Sequence, residues 1–230
     1  MIAIYILAPL SIILGTLSGY FNIAKKPVSR IFTKGLGSLL FTALALVTIY
    51  LKGASLYGIL VLGALILGMV GDLYLCMNKD FVLKEKANVL FFIGGSCFFG
   101  GHVLFGVVYL ISVPFELYLI PCLFVLPMLL AVALIVGKNK IKLGKLTPFA
   151  FAYGFILNLM LVVTVNAFIH NIDNVFGVLS LIAGILFVIS DGSLLFKEFS
   201  HLKGNPVLIY VVLVTYYVAQ CLFATSILFY

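Results

Sequence analysis

Apolar residues fill the chain in long runs, and the charged positions fall almost entirely between those runs. A run of about 20 apolar residues crosses the hydrocarbon core of a bilayer as an α-helix. The pattern therefore predicts an all-α polytopic membrane protein, a bundle that forms one transmembrane domain over residues 1–230. Its eight predicted helices lie at about 2–22, 31–51, 55–77, 88–110, 114–136, 146–168, 174–196 and 205–229.

Composition excludes the soluble and disordered classes. Hydrophobic residues make up 64% of the chain and charged residues 9%, whereas soluble domains average about 45–50% and about 25%. The formal net charge of +7 would suggest nucleic acid in a soluble protein. Here the basic residues lie between the predicted helices, so we read them as determinants of topology and predict no nucleic-acid partner.

The basic residues divide unequally between the two sides of the predicted bundle. The odd-numbered loops and their flanking turns hold 13 of the 14, and the even-numbered loops hold only Lys52. Because cytoplasmic loops are enriched in Lys and Arg, we expect the odd loops in the cytoplasm and both termini outside. The chain shows no long tail or sorting signal, which favours a bacterial cytoplasmic membrane.

Two carboxylates lie inside predicted spans. Asp72 and Asp191 each sit about five residues from the cytoplasmic end of an inward-running helix. A charge at the centre of a membrane helix costs about 2.5–3.5 kcal/mol on insertion scales, and such residues are usually functional. The structural alternative is an interfacial carboxylate that pairs with a lysine such as Lys79 or Lys197.

Four further polar side chains fall within predicted spans, namely His102, Asn158, Tyr216 and Gln220. Tyr216 and Gln220 are one helical turn apart and therefore share a face. Each of the four fits either a binding site or an interhelical hydrogen bond.

The two aspartates also suggest an internal repeat. They are 119 residues, or four helices, apart, and His102 follows Asp72 by 30 residues as Gln220 follows Asp191 by 29. The spacings fit a parallel repeat of four plus four helices, and they also fit a chance match of short motifs.

Several chemistries lack their sequence signatures. Zinc hydrolases need three or four His, Cys or carboxylate ligands, yet only His102 among the histidines falls inside a span. No nucleophile elbow or phosphate-binding glycine loop occurs. We therefore predict no metal and no cofactor. Two acids that share a low-dielectric pocket should not both ionise easily, and paired carboxylates can divide acid and base roles.

At these residues the chain resembles the YhhN family, the lysoplasmalogenase-like membrane proteins, from helix 2 to helix 8. The family commonly opens helix 2 with a Lys-Pro pair, whereas here Lys34 is followed by Gly35. The resemblance is carried by Gly71-Asp72-x-x-Leu75, by Gly101-His102 with Tyr109, by Ser190-Asp191 and by Tyr217-x-Ala219-Gln220.

The resemblance implies hydrolysis of the vinyl-ether bond of lysoplasmalogens, single-chain membrane lipids, to a fatty aldehyde and a glycerophospho-alcohol. It implies that Asp72 and Asp191 are the essential carboxylates. The residues themselves are compatible with one carboxylic acid donating a proton to carbon, since burial favours the protonated form, while the other carboxylate stabilises the cation and activates water, as paired carboxylates do in glycoside hydrolysis. The sequence leaves open which aspartate has which role, the head-group preference and the oligomeric state. Together with the polar positions, the resemblance assigns substrate binding to Lys34, His102, Asn158, Tyr216, Tyr217 and Gln220.

Two other functions fit the same residues. Intramembrane acids and a parallel repeat also suit a proton-coupled transporter of small molecules or lipids. Such a carrier usually contains a broken helix, and the glycine-rich helix 4 is the candidate for it. An inactive lipid-binding or scaffold protein is the third interpretation.

Overall fold

The computed structural model describes residues 2–80, 84–137 and 141–230, with side chains given for all of these except 78–80 and 84–88. This part of the chain contains eight helical segments long and apolar enough to cross a membrane. It contains no strand, only an isolated antiparallel bridge between Ile141 and Ser200. The predicted all-α polytopic fold is therefore confirmed.

The helices follow one another with short connections. A 3-10 segment, Leu117–Phe124, precedes α5, and a 3-10 turn, Gly144–Leu146, precedes α6. The α-helices are α1 Ile2–Ile23, α2 Pro27–Lys52, α3 Leu56–Asp80, α4 Lys84–Ser112, α5 Val125–Val136, α6 Thr147–His170, α7 Val175–Phe199 and α8 Pro206–Ser226.

The start of α2 corrects the sequence prediction. The helix begins at Pro27, four residues before the predicted position, with Lys26 preceding it. Proline suits the first helical turn because its fixed φ matches the helix and its missing N–H has no intrahelical partner there. A Lys-Pro pair thus does open this helix, and Lys34 is its eighth residue rather than part of its first turn.

The fifth span, not helix 4, is the interrupted one. The helix α4 runs unbroken from Lys84 to Ser112 through its glycines, starting four residues before the predicted position. The fifth span begins as the 3-10 segment and becomes α-helical only at Val125. Pro121 lies within that segment, and proline removes a hydrogen-bond donor and clashes with the carbonyl of residue i−4. The prediction of one continuous fifth helix, and of helix 4 as the broken one, is wrong.

The helix α8 lies at the centre of the bundle, where it packs against α1, α2, α3 and α7. Small residues allow the close approach of its neighbours: the ring of Tyr217 lies directly against Gly15 of α1, and Gly37 of α2 faces the Gly15 backbone. Any Cβ at Gly15 would overlap that ring. Close packing through glycines is how membrane helices associate without a hydrophobic driving force.

We call the end of the bundle that carries the described parts of the first and seventh loops, with Arg30 and Lys197, the basic end. There the backbone N–H of Lys142 donates to the carbonyl of Phe199 at 2.9 Å. At the opposite end, His170 Nε2 lies 3.1 Å from Glu116 Oε1, and Tyr230 stacks on Tyr57. The side of the membrane that each end faces, and hence the location of both termini, stays a prediction.

The two halves of the chain share several helix pairings. The helix α2 packs on α3 as α6 packs on α7, and α3 packs on α4 as α7 packs on α8. However, α1 contacts both α2 and α8, whereas α5 and the 3-10 segment contact only α6 and each other among the described residues. These pairings do not amount to a superposition, so the four-plus-four repeat stays a prediction.

Candidate active site

A small polar cavity of about 60 Å³ lies between the helices near the basic end. Asp72 and Asp191 both line it. Each is eight residues from the end of its helix, α3 or α7, so each is about 12 Å from that end at 1.5 Å per residue. The two carboxylates thus share one cavity and one depth.

Asp72 is held in a buried ion pair. Lys34 Nζ lies 2.9 Å from Asp72 Oδ1, with side-chain exposures of 13% and 2%. Ser38 donates its hydroxyl to Asp72 Oδ2 at 2.6 Å. Lys34 and Ser38 are one turn apart on α2, so both reach α3 from the same helical face. Each Asp72 oxygen therefore has a donor, and the negative charge has a cation beside it.

Asp72 does pair with a lysine, as the structural alternative predicted. That lysine is Lys34 of α2, however, which the alternative did not name. The side chain of Lys79 lies outside the described residues, and Lys197 contacts Glu198 at 3.2 Å. Tyr217 supports the pair from α8: its hydroxyl donates to the carbonyl of Lys34 at 2.9 Å and lies 3.1 Å from Ser38 Oγ.

Asp191 has quite different partners. Tyr153 of α6 donates its hydroxyl to Asp191 Oδ2 at 2.6 Å, and His102 Nε2 of α4 lies 3.1 Å from the same oxygen. The second oxygen, Oδ1, makes no hydrogen bond among the described residues. No lysine or arginine within the described part forms an ion pair with this carboxylate, so its partners there are the Tyr153 hydroxyl and the His102 imidazole.

Aromatic rings fix the orientation of His102. Phe187 meets the imidazole edge-on with ring centroids 4.7 Å apart, and Tyr153 does so at 5.4 Å. The Nδ1 atom is buried without a hydrogen-bond partner in the described structure. An N–H there would be left unsatisfied, which is costly. We therefore assign the proton to Nε2, from which it is donated to Asp191.

An apolar groove of about 420 Å³ adjoins the polar cavity. It runs between α4, α5, α6 and α7. Leu75, Phe91, Phe98, Asp191 and Leu194 line both spaces. Of the described residues that line the groove, Asp191 is the one with a charge. This carboxylate therefore stands where a polar space meets an apolar one.

Charged side chains surround the mouth of the polar cavity at the basic end. Arg30, Lys197 and Glu198 line it together with Asn22 and Ser18. Among these, Lys197 and Glu198 form an ion pair at 3.2 Å.

The other predicted site residues fall in different places. Tyr216 lines the polar cavity, and Gln220 lies one turn further along α8, buried behind it. Asn158 is also buried, but its amide donates to the Cys122 carbonyl at 2.7 Å and so ties α6 to the 3-10 segment. Neither Asn158 nor Tyr217 is among the residues that line the two spaces. Substrate binding by either one stays a prediction.

Sequence reasoning missed three residues of the site. Ser38 had a usable signal, since a hydroxyl one turn from Lys34 shares its helical face. Arg30 was counted only as a topology signal. Tyr153 had no signal, because one tyrosine in an apolar span looks the same whether it faces lipid or a carboxylate.

The chain was compared with protein families, curated proteins and solved structures. No curated protein and no solved structure gives a match. The model of the YhhN family matches residues 29–227, from α2 to the end of α8, and the two aspartates, Lys34 and His102 all lie inside that match. Because the match covers most of the chain, this protein belongs to the YhhN family.

Proposed function

We propose that this protein hydrolyses the vinyl-ether bond of lysoplasmalogens. Family membership supports a lysoplasmalogenase-like activity. The observation that carries the proposal is the position of Asp191, at the junction of a polar cavity and an apolar groove. A vinyl ether occupies the same junction in the substrate, because it joins the polar glycerophosphate to the hydrocarbon chain.

The substrate lies across both spaces. Its alkenyl chain follows the groove between α4 and α7 toward Leu157, lined by apolar side chains. Its phosphate lies at the mouth near Arg30 and Lys197, where guanidinium and ammonium groups bind phosphate well. Anchoring both ends of the lipid holds the vinyl ether beside Asp191, and such positioning lowers the barrier of the reaction.

Asp191 is the proton donor in this scheme. The Lys34 ammonium lies 2.9 Å from Asp72 and balances a negative charge there, whereas Asp191 has no lysine or arginine partner among the described residues. A carboxyl proton on the unbonded Oδ1 points toward the substrate, while Oδ2 accepts hydrogen bonds from Tyr153 and His102. Those two donors stabilise the carboxylate that remains after the proton leaves, and charge-assisted hydrogen bonds of this kind are strong.

The reaction then runs in two steps. Asp191 gives its proton to the vinyl carbon β to oxygen, and the C=C electron pair forms that C–H bond, which leaves an oxocarbenium ion. Water adds to the carbon attached to oxygen and loses a proton. The resulting hemiacetal collapses to the aldehyde and the glycerol hydroxyl, and the proton released restores Asp191. The Asp72 carboxylate lies in the same cavity and stabilises the cation, as a second carboxylate does in glycoside hydrolysis.

The transporter alternative has less support. A carrier needs a path from the acids to both sides of the membrane. Beyond His102, buried aromatic rings fill the bundle toward the opposite end, with Phe105 stacked on Phe223 at 4.2 Å and Tyr109 packed against Phe176. These buried rings lie between His102 and the opposite end of the bundle. This packing suits a site entered from one side.

Aldehyde release tests the proposal. Purified protein in detergent is incubated with a lysoplasmalogen, and the aldehyde is trapped as a hydrazone and measured by mass spectrometry. We expect release by the natural chain and by Asp173→Asn, a control whose side chain is exposed in the loop before α7. Substrate that is taken up by proteoliposomes and recovered uncleaved would favour the transporter instead.

A further inference from the structure

Two buried polar atoms near Asp72 have no hydrogen-bond partner within the described residues. They are the Tyr216 hydroxyl and the Gln220 carbonyl oxygen, whose residues are 4% and 1% exposed. Buried polar atoms nearly always have a hydrogen-bond partner, and an exception in a native fold calls for a functional or solvent explanation. Two buried polar groups that lower the stability of the fold therefore lie one turn apart on α8, the most buried of the spans.

The side chains of Tyr216 and Gln220 both lie over one glycine. A Cβ on Gly68 would stand 2.7 Å from Gln220 Nε2 and 3.0 Å from the Tyr216 hydroxyl. Gly68 precedes Asp72 by one turn of α3, so the same helical face carries the bare backbone and the carboxylate. The missing side chain at Gly68 lets the Tyr216–Gln220 pair sit close to Asp72.

Tyr216 reaches the cavity, and Gln220 does not. The tyrosine lines the polar cavity with Asp72 and Asp191, whereas Gln220 lies behind it. The hydroxyl lies beside the Gln220 side chain over Gly68, one turn of α3 from Asp72. Four rings hold the tyrosine in place, those of Phe41, Phe98, Phe187 and Tyr217. The hydroxyl is therefore fixed and buried at a cavity that Tyr216 and Asp72 both line.

We propose that Tyr216 holds the hydrolytic water against Asp72, and that Gln220 positions the Tyr216 hydroxyl for this. A cavity of about 60 Å³ has room for a water molecule, which needs about 10–15 Å³ and two to four polar partners. Tyr216 and Asp72 supply such partners on one side of the cavity, and Asp191 lies on another. This assignment rests on the proposed hydrolase function and adds the source of its nucleophile.

The step balances without another reactant. The water oxygen forms a bond to the oxocarbenium carbon while one of its protons moves to the Asp72 carboxylate. That proton passes to the glycerol oxygen as the C–O bond of the hemiacetal breaks, which leaves Asp72 paired with Lys34 again. The hemiacetal hydroxyl loses its own proton to Asp191 as the aldehyde C=O forms, so both carboxyl groups return to their starting states. Tyr216 acts on the water directly, and Gln220 is a positioning residue that acts through the tyrosine.

The variant Tyr216→Phe isolates this role. It removes a hydroxyl that has no hydrogen-bond partner within the described residues and keeps the ring and its four aromatic contacts. Removal of an unsatisfied buried group does not weaken a fold, so the melting temperature should not fall. Tyr210→Phe on the same helix is the matched control, because that tyrosine lines neither space.

The experiment follows the fate of the oxocarbenium ion in D₂O. When water is poorly held, the cation lives longer and returns to vinyl ether more often. Each return in which the original hydrogen leaves, and not the delivered deuteron, leaves deuterium at the carbon β to oxygen. We expect Tyr216→Phe to release aldehyde about 10²-fold more slowly, the size of effect that misplacing a reactant produces, and its recovered lysoplasmalogen to carry deuterium. Gln220→Met should change both readouts in the same direction but less.

The outcomes distinguish a failure of the water-holding role from a failure of the proposed hydrolase function. The natural chain and Tyr210→Phe should turn over without deuterium in recovered substrate. Normal aldehyde release by Tyr216→Phe, or slow release with undeuterated recovered substrate, overturns the water-holding role and leaves the hydrolase proposal standing. No aldehyde from the natural chain overturns the hydrolase proposal itself, and the inference with it.

Discussion

The surroundings of Asp72 and Asp191 differ although the two residues share one cavity and one depth. Asp72 has a lysine at 2.9 Å and a serine at 2.6 Å, so both its oxygens are occupied. Asp191 has two donors on one oxygen and none on the other. In the proposed mechanism, this difference makes Asp72 the carboxylate that stabilises the cation and accepts the water proton, and it leaves Asp191 an oxygen for the substrate.

The two aspartates also differ in how closely the neighbouring helices pack around them. The helix α1 packs against α2 and α8 through Gly15 and Gly19, and so seals the Asp72 side. On the other side, α5 contacts only α6 and the 3-10 segment among the described residues. The groove beside Asp191 is lined by α5 on its outer side. One half therefore encloses a charge, and the other leaves space for a hydrocarbon chain.

The largest effect should follow from Asp191→Asn. The amide keeps the shape and the hydrogen bond from Tyr153, but it has no proton to give. Loss of proton-transfer catalysis typically costs about 10²–10⁴-fold in rate, and folding should survive because an amide is cheaper to bury than a charge. Aldehyde release by protein with an unchanged melting temperature is the measurement, with Asp173→Asn as control. Turnover near that of the natural chain would remove Asp191 from the mechanism.

Asp72→Asn should instead lose stability together with activity. Breaking one side of a buried ion pair costs about 3–5 kcal/mol because the remaining charge stays buried. The double variant Asp72→Asn/Lys34→Met removes both charges, so we expect it to recover most of the melting temperature but not the turnover. Equal stability of the single and double variants would show that Lys34 does not compensate Asp72.

Tyr153→Phe should have an intermediate effect. It removes the 2.6 Å hydrogen bond to Asp191, and a hydrogen bond to a charged group is worth about 1.5–3 kcal/mol, or roughly 10- to 10²-fold in rate. The lower rate should appear in kcat, because the bond strengthens as Asp191 becomes negative. Tyr118→Phe, at an exposed position on the 3-10 segment, should leave kcat unchanged, and a pure KM effect in Tyr153→Phe would contradict this role.

Gly192→Leu should have the smallest effect on turnover, and the size of that effect should depend on the length of the substrate's alkenyl chain. Gly192 lines the groove, and a Cβ there meets nothing within 4 Å, so the larger side chain folds without overlap and fills tail space. We expect kcat/KM for long alkenyl chains to fall about tenfold relative to short ones, as when a pocket excludes part of a hydrocarbon. Gly192→Ala should behave like the natural chain. An equal loss for all chain lengths would mean that the tail does not lie there.

The sequence was enough to predict the eight spans and the two acids. Apolar runs of about 20 residues have one stable solution in a bilayer, and Asp72 and Asp191 stand out because a charge in such a run is costly. The interruption at Pro121 was also readable, since proline breaks the hydrogen-bond ladder.

The partners of the acids were not readable from one sequence. Lys34 meets Asp72, and Tyr153 meets Asp191, only because α2, α3, α6 and α7 pack at particular rotations. Hydrophobicity sets which residues enter the bilayer, but nearly every face of these helices is apolar, so it does not set which face turns inward. The same reason left Asn158 as a site candidate, although it bonds the 3-10 segment instead.

Turnover in D₂O tests the central claim most directly. Cleavage of lysoplasmalogen by the natural chain is stopped early, and the molecular masses of the aldehyde and the glycerophospho-alcohol are both measured by mass spectrometry. Protonation of the vinyl carbon by Asp191 predicts one deuterium on the carbon next to the aldehyde carbonyl, and almost no product from Asp191→Asn. Aldehyde without that deuterium, or equal product from Asp191→Asn, would contradict the claim that this carboxyl delivers the proton.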